Sequence, residues 1–104
     1  MALERHKHTR LQAAERLLKQ GKIQEALSQL DQVRLSAPSD LLSLNRLSDL
    51  LARQGHNNEA IRFYSKIAGE FTNTGFYPKA VAIHKKILRL DPEHIQSIVE
   101  LGNL

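Results

Sequence analysis

The chain of 104 residues contains no cysteine and no tryptophan. Without cysteine, a disulfide scaffold, a thiol nucleophile and a cysteine zinc site are excluded. Aromatic residues make up only 5% of the chain, so few side chains are available to stack on nucleic-acid bases. Uninterrupted apolar runs are short, such as Leu50-Leu51-Ala52, whereas a membrane-spanning helix needs about 18 apolar residues. We therefore expect no membrane span, and because no charged-then-apolar leader opens the chain we expect a cytoplasmic protein.

The net charge of +4 is concentrated at the beginning of the chain. Residues 1–22 contain six basic and two acidic residues, whereas residues 23–104 contain nine of each sign. A basic segment of this kind favours acidic partners, so nucleic-acid binding through the first helix is one hypothesis. A solvated helix face is the simpler interpretation.

The hydropathy pattern is helical throughout. Apolar residues recur at spacings of three and four, as in Leu11, Ala14, Leu17 and Leu18, which is typical of amphipathic helices. Sustained alternation, the mark of a strand, is absent. The sequence predicts an all-α fold with six helices near residues 4–20, 23–36, 40–54, 57–73, 77–90 and 93–104, with Pro38 in a turn and Asp91 as the N-cap of the sixth helix.

An internal repeat is visible in the first two thirds of the chain. Gly21 and Gly55 lie 34 residues apart, and the same separation relates Ala26 to Ala60. Both copies share the pattern L-x-x-Q-G-x-x-x-E-A-[LI]. A fixed period of this length indicates a repeat architecture.

With these residues in register, the chain resembles the tetratricopeptide repeat (TPR) family, and in particular the N-terminal segment of a multi-repeat bacterial TPR protein. Gly75-Phe76, Lys79-Ala80 and Lys85-Lys86-Ile87 match a stretch that follows the second repeat in such proteins. The resemblance implies a solenoid of about six antiparallel helices arranged as helical hairpins.

One unit of this solenoid is expected to be irregular. Gly75 and Ala80 follow Gly55 and Ala60 by only 20 residues, so about one helix is missing. We expect a single TPR-like domain over residues 1–104, with units at 7–40 and 41–74, a shortened unit overlapping at 61–94, and a truncated unit at 95–104. Further repeats are expected to follow residue 104.

Small residues are expected where the two helices of a hairpin pack closely. Antiparallel helices approach each other only where one side chain is small. The small residues on the first helices are Ala14, Ser48 and Ala68, and those on the second helices are Ala26, Ala60 and Ala80.

No catalytic or cofactor motif appears in the sequence. There is no phosphate-binding glycine loop, no Ser-His-Asp set and no metalloprotease motif. His84 lies at a position where the repeat usually has an aromatic residue, so we expect a half-buried side chain that packs in the core. His56 and His94 are expected at the surface. His6 and His8 are candidate metal ligands, but residues at i and i+2 do not share a helix face, and a solvated basic terminus is the simpler interpretation. We therefore expect no enzyme, cofactor, metal site or small-molecule substrate.

Protein–protein interaction is the function that the resemblance implies, with a peptide or protein partner bound in the concave groove of stacked TPR helices. By the family pattern, the residues facing that groove are Leu11, Glu15, Leu18, Lys19, Leu42, Asn45, Asp49 and Arg53. We expect Leu11, Leu18 and Leu42 to be exposed there, which favours an apolar or amphipathic ligand.

Self-association is the alternative function. The last predicted helix has no polar outer face, although terminal repeats usually need one. Its apolar residues are expected to be partly uncovered, and those assigned to a contact between copies are Ile95, Ile98, Leu101 and Leu104.

Overall fold

The computed structural model describes residues 2–35 and 38–104, with side chains from residue 10 onward apart from residue 38. In these ranges all regular structure is helical and no strand occurs, which confirms the all-α prediction. The helices are α1 (Ala2–Lys19), α2 (Ile23–Asp31), α3 (Pro38–Arg53), α4 (Asn57–Asn73), α5 (Tyr77–Leu90) and α6 (Ile95–Asn103). Within the described part of the chain, no helix is both long and apolar enough to cross a membrane.

The same turn joins α1 to α2, α3 to α4 and α4 to α5. In each turn a glycine takes a left-handed backbone conformation, with φ of 78° at Gly21, 87° at Gly55 and 83° at Gly75. The following amide closes a six-residue ring by donating back to the preceding helix: Lys22 N to Leu17 O at 2.8 Å, His56 N to Leu51 O at 2.9 Å, and Phe76 N to Phe71 O at 2.8 Å. This is the Schellman arrangement, which satisfies carbonyls at a helix end and requires a residue that tolerates positive φ.

The chain divides into two compact units, Met1–Leu50 and Leu51–Leu104. In the first unit α1 packs on α2, and Ala14 and Ala26 are both completely buried. A hydrogen bond of 2.6 Å from Arg10 Nη1 to Gln32 Oε1 links α1 to the residue after α2. In the same unit, the buried side chains of α3 include Leu41, Leu44, Leu47 and Ser48.

In the second unit α4 packs on α5, and α5 packs on α6. Ala68 and Ala80 are completely buried, as are Ile67 and Ile87, and the aromatic side chains of Phe63 and Tyr64 also lie in this core. Together with Ser48 and Ala60, which are also completely buried, the predicted small residues are confirmed as interior positions. Small side chains at these sites allow helix backbones to approach closely.

Three predicted helix boundaries are wrong. Helix α2 ends at Asp31 rather than near 36, because Gln32 turns its side chain back to donate from Nε2 to Ser28 O at 3.0 Å. Pro38 opens α3 instead of lying in the preceding turn, a position that its missing N–H favours. Asp91 ends α5, and its Oδ1 accepts from Glu93 N at 3.1 Å, so α6 starts only at Ile95.

Candidate functional site

Two of the residues predicted to face a groove lie in the core instead. Leu11 is 7% exposed and Leu18 is completely buried. Leu11 precedes Ala14 by three residues and Leu18 follows it by four, so the three side chains lie on one face of α1. Because Ala14 is completely buried, that face is the buried one. The expected exposure of Leu11 and Leu18 is therefore wrong.

The remaining predicted residues of α1 are accessible and form an ion pair. Lys19 Nζ lies 3.8 Å from Glu15 Oε1, and the side chains are 66% and 33% exposed. Pairs at this i, i+4 spacing on a helix surface contribute about 0.3–0.5 kcal/mol. The two charges thus neutralise each other at the surface.

On α3 the residues predicted to face the groove lie on the solvent-accessible side of the helix. Leu42 is 69% exposed, Arg53 is exposed, and Asn45 and Asp49 are partly exposed. The spacings of three, four and four place these four residues along one stripe of the helix. Leu42 is therefore an exposed apolar residue on an otherwise polar stripe.

Helix α6 carries the largest set of exposed apolar side chains on any one described helix. Ile95 is 74% exposed, Val99 52%, Ile98 50% and Leu104, which follows the helix, 40%. Leu101 is partly exposed. The expectation that this helix is partly uncovered is confirmed.

The fully buried side chain of α6 is polar. Ser97 is completely buried, and its Oγ lies 3.0 Å from His84 Nδ1 of α5 and 3.0 Å from His94 Nδ1. Its backbone N–H donates to the same His94 nitrogen at 3.3 Å, so His94 is the N-cap of α6, with extended backbone angles (φ −67°, ψ 96°). One serine thus joins two histidines and two helices, which we call the His84–Ser97–His94 network.

One hydrogen-bond direction in this network is set by a backbone donor. Because His94 Nδ1 accepts from Ser97 N–H, this nitrogen carries no proton. In the two contacts of Ser97 Oγ with the imidazole nitrogens, the donor depends on the tautomer of each ring.

Three contributions act in opposite directions on the pKa of His84. Burial of the ring, in a residue that is only 6% exposed, lowers the pKa of His84. The Glu100 carboxylate raises it and His94 lowers it, and the net direction is downward. The neutral form of His84 is consequently favoured in the folded protein.

A cavity of about 180 Å³ opens beside the network. Besides the three network residues, its polar lining consists of Ser65, Thr72 and Asn73 from α4 and Gln96 and Glu100 from α6. Glu100 is the only carboxylate in this lining, so the cavity combines one acid with two imidazoles.

The sequence interpretation missed this site. It expected His94 at the surface, whereas His94 caps α6 and lines the cavity. The available signal was the H-x-x-S pattern of residues 94–97, which has the N-cap to N3 spacing of a capping box. His84 is more deeply buried than the half-buried packing role predicted for it.

The described residues contain no group of three or more metal-ligating side chains that could hold an ion, and the side chains of His6 and His8 lie outside them. No protein-family model and no curated protein matches this chain.

Proposed function

We propose that this chain is a protein–protein interaction module, built as a TPR-like solenoid of helical hairpins and acting as a cytoplasmic scaffold. The observation that carries the proposal is the exposed apolar surface of α6, formed by Ile95, Ile98, Val99 and Leu104. Contiguous exposed apolar surface on a soluble protein often marks a site of association. A short helix with such a surface suits packing against another helix.

The recurring turns at Gly21, Gly55 and Gly75 support the TPR-like part of the proposal. Gly21 and Gly55 have the same backbone conformation and the same closing hydrogen bonds at the repeat period, and Gly75 repeats both. Completely buried alanines follow each turn at the same offset, namely Ala26, Ala60 and Ala80. Structural units that recur in this way are the basis of helical repeat proteins.

The stripe on α3 is a second candidate contact surface. Leu42 supplies an apolar group, and Asn45, Asp49 and Arg53 supply polar groups of both signs along the same side. A peptide bound there would combine one apolar anchor with polar contacts, as interfaces commonly do. With Leu11 and Leu18 buried, α1 contributes only the Glu15–Lys19 pair.

Self-association is the second candidate function, and the composition of α6 favours it. Among residues 95–104 the only charged side chain is Glu100, which lines the cavity. Two copies of α6 packed against each other would therefore bury no like charges on their apolar surfaces. We assign the second copy of this chain as the first partner to test.

Nucleic-acid binding has less support from the described basic residues. Arg10 donates to Gln32 and approaches Gln29 Oε1 at 3.4 Å, and Lys19 pairs with Glu15. Both side chains are thus used within the protein.

The test is the molar mass in solution, measured by light scattering over a wide concentration range. The wild type is compared with Ile98→Glu, with Leu42→Glu, and with Gln24→Glu, which adds the same charge to an exposed position of α2. If α6 mediates self-association, the wild type, Leu42→Glu and Gln24→Glu form dimers at high concentration and Ile98→Glu remains monomeric.

A wild type that stays monomeric at every concentration excludes self-association. The search then moves to other helical partners of α6, with Ile98→Glu as the variant that must abolish binding. A dimer that survives Ile98→Glu and is lost in Leu42→Glu would transfer the contact to α3 and overturn the role given to α6.

A further inference from the structure

Helix α5 differs from the other helices in the sign of its charges. It contains basic side chains but no acidic one, and its basic residues are Lys79, Lys85, Lys86 and Arg89. Each of the other helices in the described part of the chain contains at least one acidic residue. The charges of α5 are therefore positive from its first turn to its last.

One exposed stripe runs along α5 and ends beside two aromatic residues. The residues of this stripe follow one another at spacings of four, three and four, which places them on one side of the helix. They are all exposed, and they are Pro78, Ala82, Lys85 and Arg89. Phe76 and Tyr77, at the beginning of the helix, are 48% and 51% exposed. A ligand lying along this stripe would contact aromatic rings at one end and cations about two helical turns away.

The two cations of the stripe have no ionic partner within the described residues. Neither Lys85 nor Arg89 forms an ion pair there. They are separated by one turn, at i and i+4, where like charges repel each other and destabilise a helix. The helix dipole offsets this repulsion for Arg89, which lies in the last turn, but not for Lys85 in the middle of α5. A bound anion would relieve the repulsion.

The aromatic end of the stripe is held in place by contacts within the protein. The rings of Phe71 and Phe76 meet edge to face, with centroids 6.4 Å apart and planes at 75°. Lys79 Nζ lies 5.2 Å from the ring centroid of Phe76 and 5.7 Å from that of Phe71, which are cation–π distances. Because these side chains are already ordered, a ligand would lose little binding energy in arranging them.

We propose that the exposed stripe of α5, together with Phe76 and Tyr77, is a docking site for an acidic segment of another protein. A bulky apolar side chain of that segment packs on the two aromatic rings, and its carboxylates pair with Lys85 and Arg89. Aromatic residues and arginine are the side chains enriched in protein interfaces, and charge complementarity sets the sign of the partner.

A peptide fits this surface better than a nucleic acid does. Binding of single strands combines a long basic groove with aromatic faces on which bases stack. Here the ammonium group of Lys79 already lies over the ring of Phe76. Asp91 and Glu93 follow Arg89 closely, so a polyanion that continued past the end of α5 would meet negative charge. A short acidic segment ends before that point.

A membrane surface fits less well too. A helix that lies in a membrane interface inserts its apolar face among the lipids. The apolar face of α5 is buried within the protein, as Ala80, Ile83 and Ile87 show. Only the basic stripe and the aromatic residues at its end remain for a partner.

The geometry of the helix predicts the spacing of the partner's residues. With a rise of about 1.5 Å per residue, Lys85 lies about 12 Å and Arg89 about 18 Å along the axis from Tyr77. An extended peptide covers about 3.3 Å per residue, so its acidic residues should lie about four to six positions from the apolar one. This spacing defines a probe.

The probe is a fluorescein-labelled synthetic peptide with one leucine, a glycine–serine spacer of about four residues and a run of glutamates. Its binding to the full chain is measured by fluorescence anisotropy at low ionic strength, and the contacted amides are identified from their NMR shifts. We expect the shifts to concentrate at Tyr77, Lys85 and Arg89, and added salt to weaken binding. Absence of binding at low ionic strength would overturn the proposal.

Two double variants with equal loss of charge test the site. Lys85→Gln with Arg89→Gln should weaken binding about fivefold, the product of two exposed ion pairs. Arg16→Gln with Lys22→Gln removes two exposed charges from the other compact unit and should leave binding nearly unchanged. All four positions are exposed, so the fold is preserved. Equal weakening in both would show attraction by net charge alone and refute the site.

The aromatic end is tested separately. Tyr77→Ser should weaken binding of the leucine probe, but not of a second probe in which glycine replaces the leucine. An equal effect on both probes would exclude the apolar part of the contact.

Two other probes distinguish the kind of partner. Oligothymidylate and vesicles that contain phosphatidylserine are measured under the same conditions. If either binds more tightly than the peptide and loses affinity in Lys85→Gln with Arg89→Gln, the surface serves nucleic acid or membrane and the peptide proposal is wrong.

This docking site goes beyond the contact proposed for α6, and the two fail independently. Ile98→Glu should abolish dimers and leave peptide binding unchanged, whereas Lys85→Gln with Arg89→Gln should weaken peptide binding and leave the molar mass unchanged. Loss of both properties in one variant would contradict the separation of the two surfaces.

Discussion

Two completely buried serines should respond in opposite ways to the same substitution. Ser97 Oγ holds together His84 and His94, each at 3.0 Å, whereas Ser48 Oγ donates to Leu44 O at 2.8 Å within α3. Replacement by alanine removes one hydroxyl in each case. The consequences differ because the groups left behind differ.

Ser97→Ala leaves the buried Nδ1 of His84 without its hydrogen-bond partner. An unsatisfied buried donor or acceptor costs about 1–3 kcal/mol. His94 Nδ1 retains its bond from the backbone N–H of residue 97, at 3.3 Å, so the penalty arises at one end only. A central loss of about 2 kcal/mol lowers the melting temperature by about 8–16 °C in a domain of this size.

Ser48→Ala leaves no group unsatisfied, because Leu44 O keeps the intrahelical bond that an α-helix provides at this position. Alanine also has the higher helix propensity, by about 0.5 kcal/mol. We expect a change within about 1 kcal/mol of the wild type.

Urea unfolding followed by circular dichroism gives both free energies, with unchanged m-values as the check that the folded states are comparable. If Ser97→Ala and Ser48→Ala lose the same stability, or if Ser97→Ala is the milder change, the central role of Ser97 in the network is wrong.

Three further predictions use the same unfolding measurement. Since burial lowers the pKa of His84, the contribution of neutral His84 to stability is complete above the unfolded pKa of about 6.5 and is lost as the pH falls toward the folded pKa. His84→Asn should therefore make the free energy of unfolding less dependent on pH. An equally steep pH dependence in the variant would refute the lowered pKa of His84. Gly75→Ala should lower the free energy of unfolding by about 1–2 kcal/mol because the φ of Gly75 is 83°, although an added Cβ would meet no neighbouring group within 4 Å. Gly69 is equally open but helical, so Gly69→Ala should raise the free energy of unfolding by about 1 kcal/mol. If both substitutions changed stability in the same direction, the argument from backbone conformation would be wrong. Ala80→Leu should cost about 1–3 kcal/mol by overpacking the completely buried contact region of α5, and a neutral result would show that the site has spare volume.

The helices that the sequence predicts best are those whose ends depend on local chemistry. The sequence predicts α4 at residues 57–73 and α5 at residues 77–90, and the structure has the same bounds. Gly55 and Gly75 set these boundaries, because a glycine with positive φ ends one helix and its neighbour begins the next. No tertiary contact is needed to recognise such a signal.

The wrongly predicted start of α6 depends on a choice between two local signals. Asp91-Pro92-Glu93 fits a helix start, yet Asp91 closes α5 and accepts from Glu93 N, and His94 takes the N-cap position instead. Either residue could cap a helix by composition. The packing of α6 on α5 through Ser97 decides in favour of His94.

The groove residues on α1 failed for a different reason. The groove residues are carried over from family positions one by one, which predicts that Leu11 and Leu18 are exposed. The helical period itself groups Leu11, Ala14 and Leu18 on one face, and the structure buries that face while Leu17 is partly exposed. The physical period was the better guide than the repeat register.

The sequence predicts the exposed side of α6 but not its buried side. The last predicted helix lacks a polar outer face, which predicts that its apolar residues are partly uncovered, and the structure exposes Ile95, Ile98 and Val99. Hydropathy gives no indication that a serine is the fully buried side chain of α6, or that Ser97 Oγ lies 3.0 Å from Nδ1 of His84 and 3.0 Å from Nδ1 of His94. The same orientation leaves accessible the apolar side of α6 on which the proposed association depends.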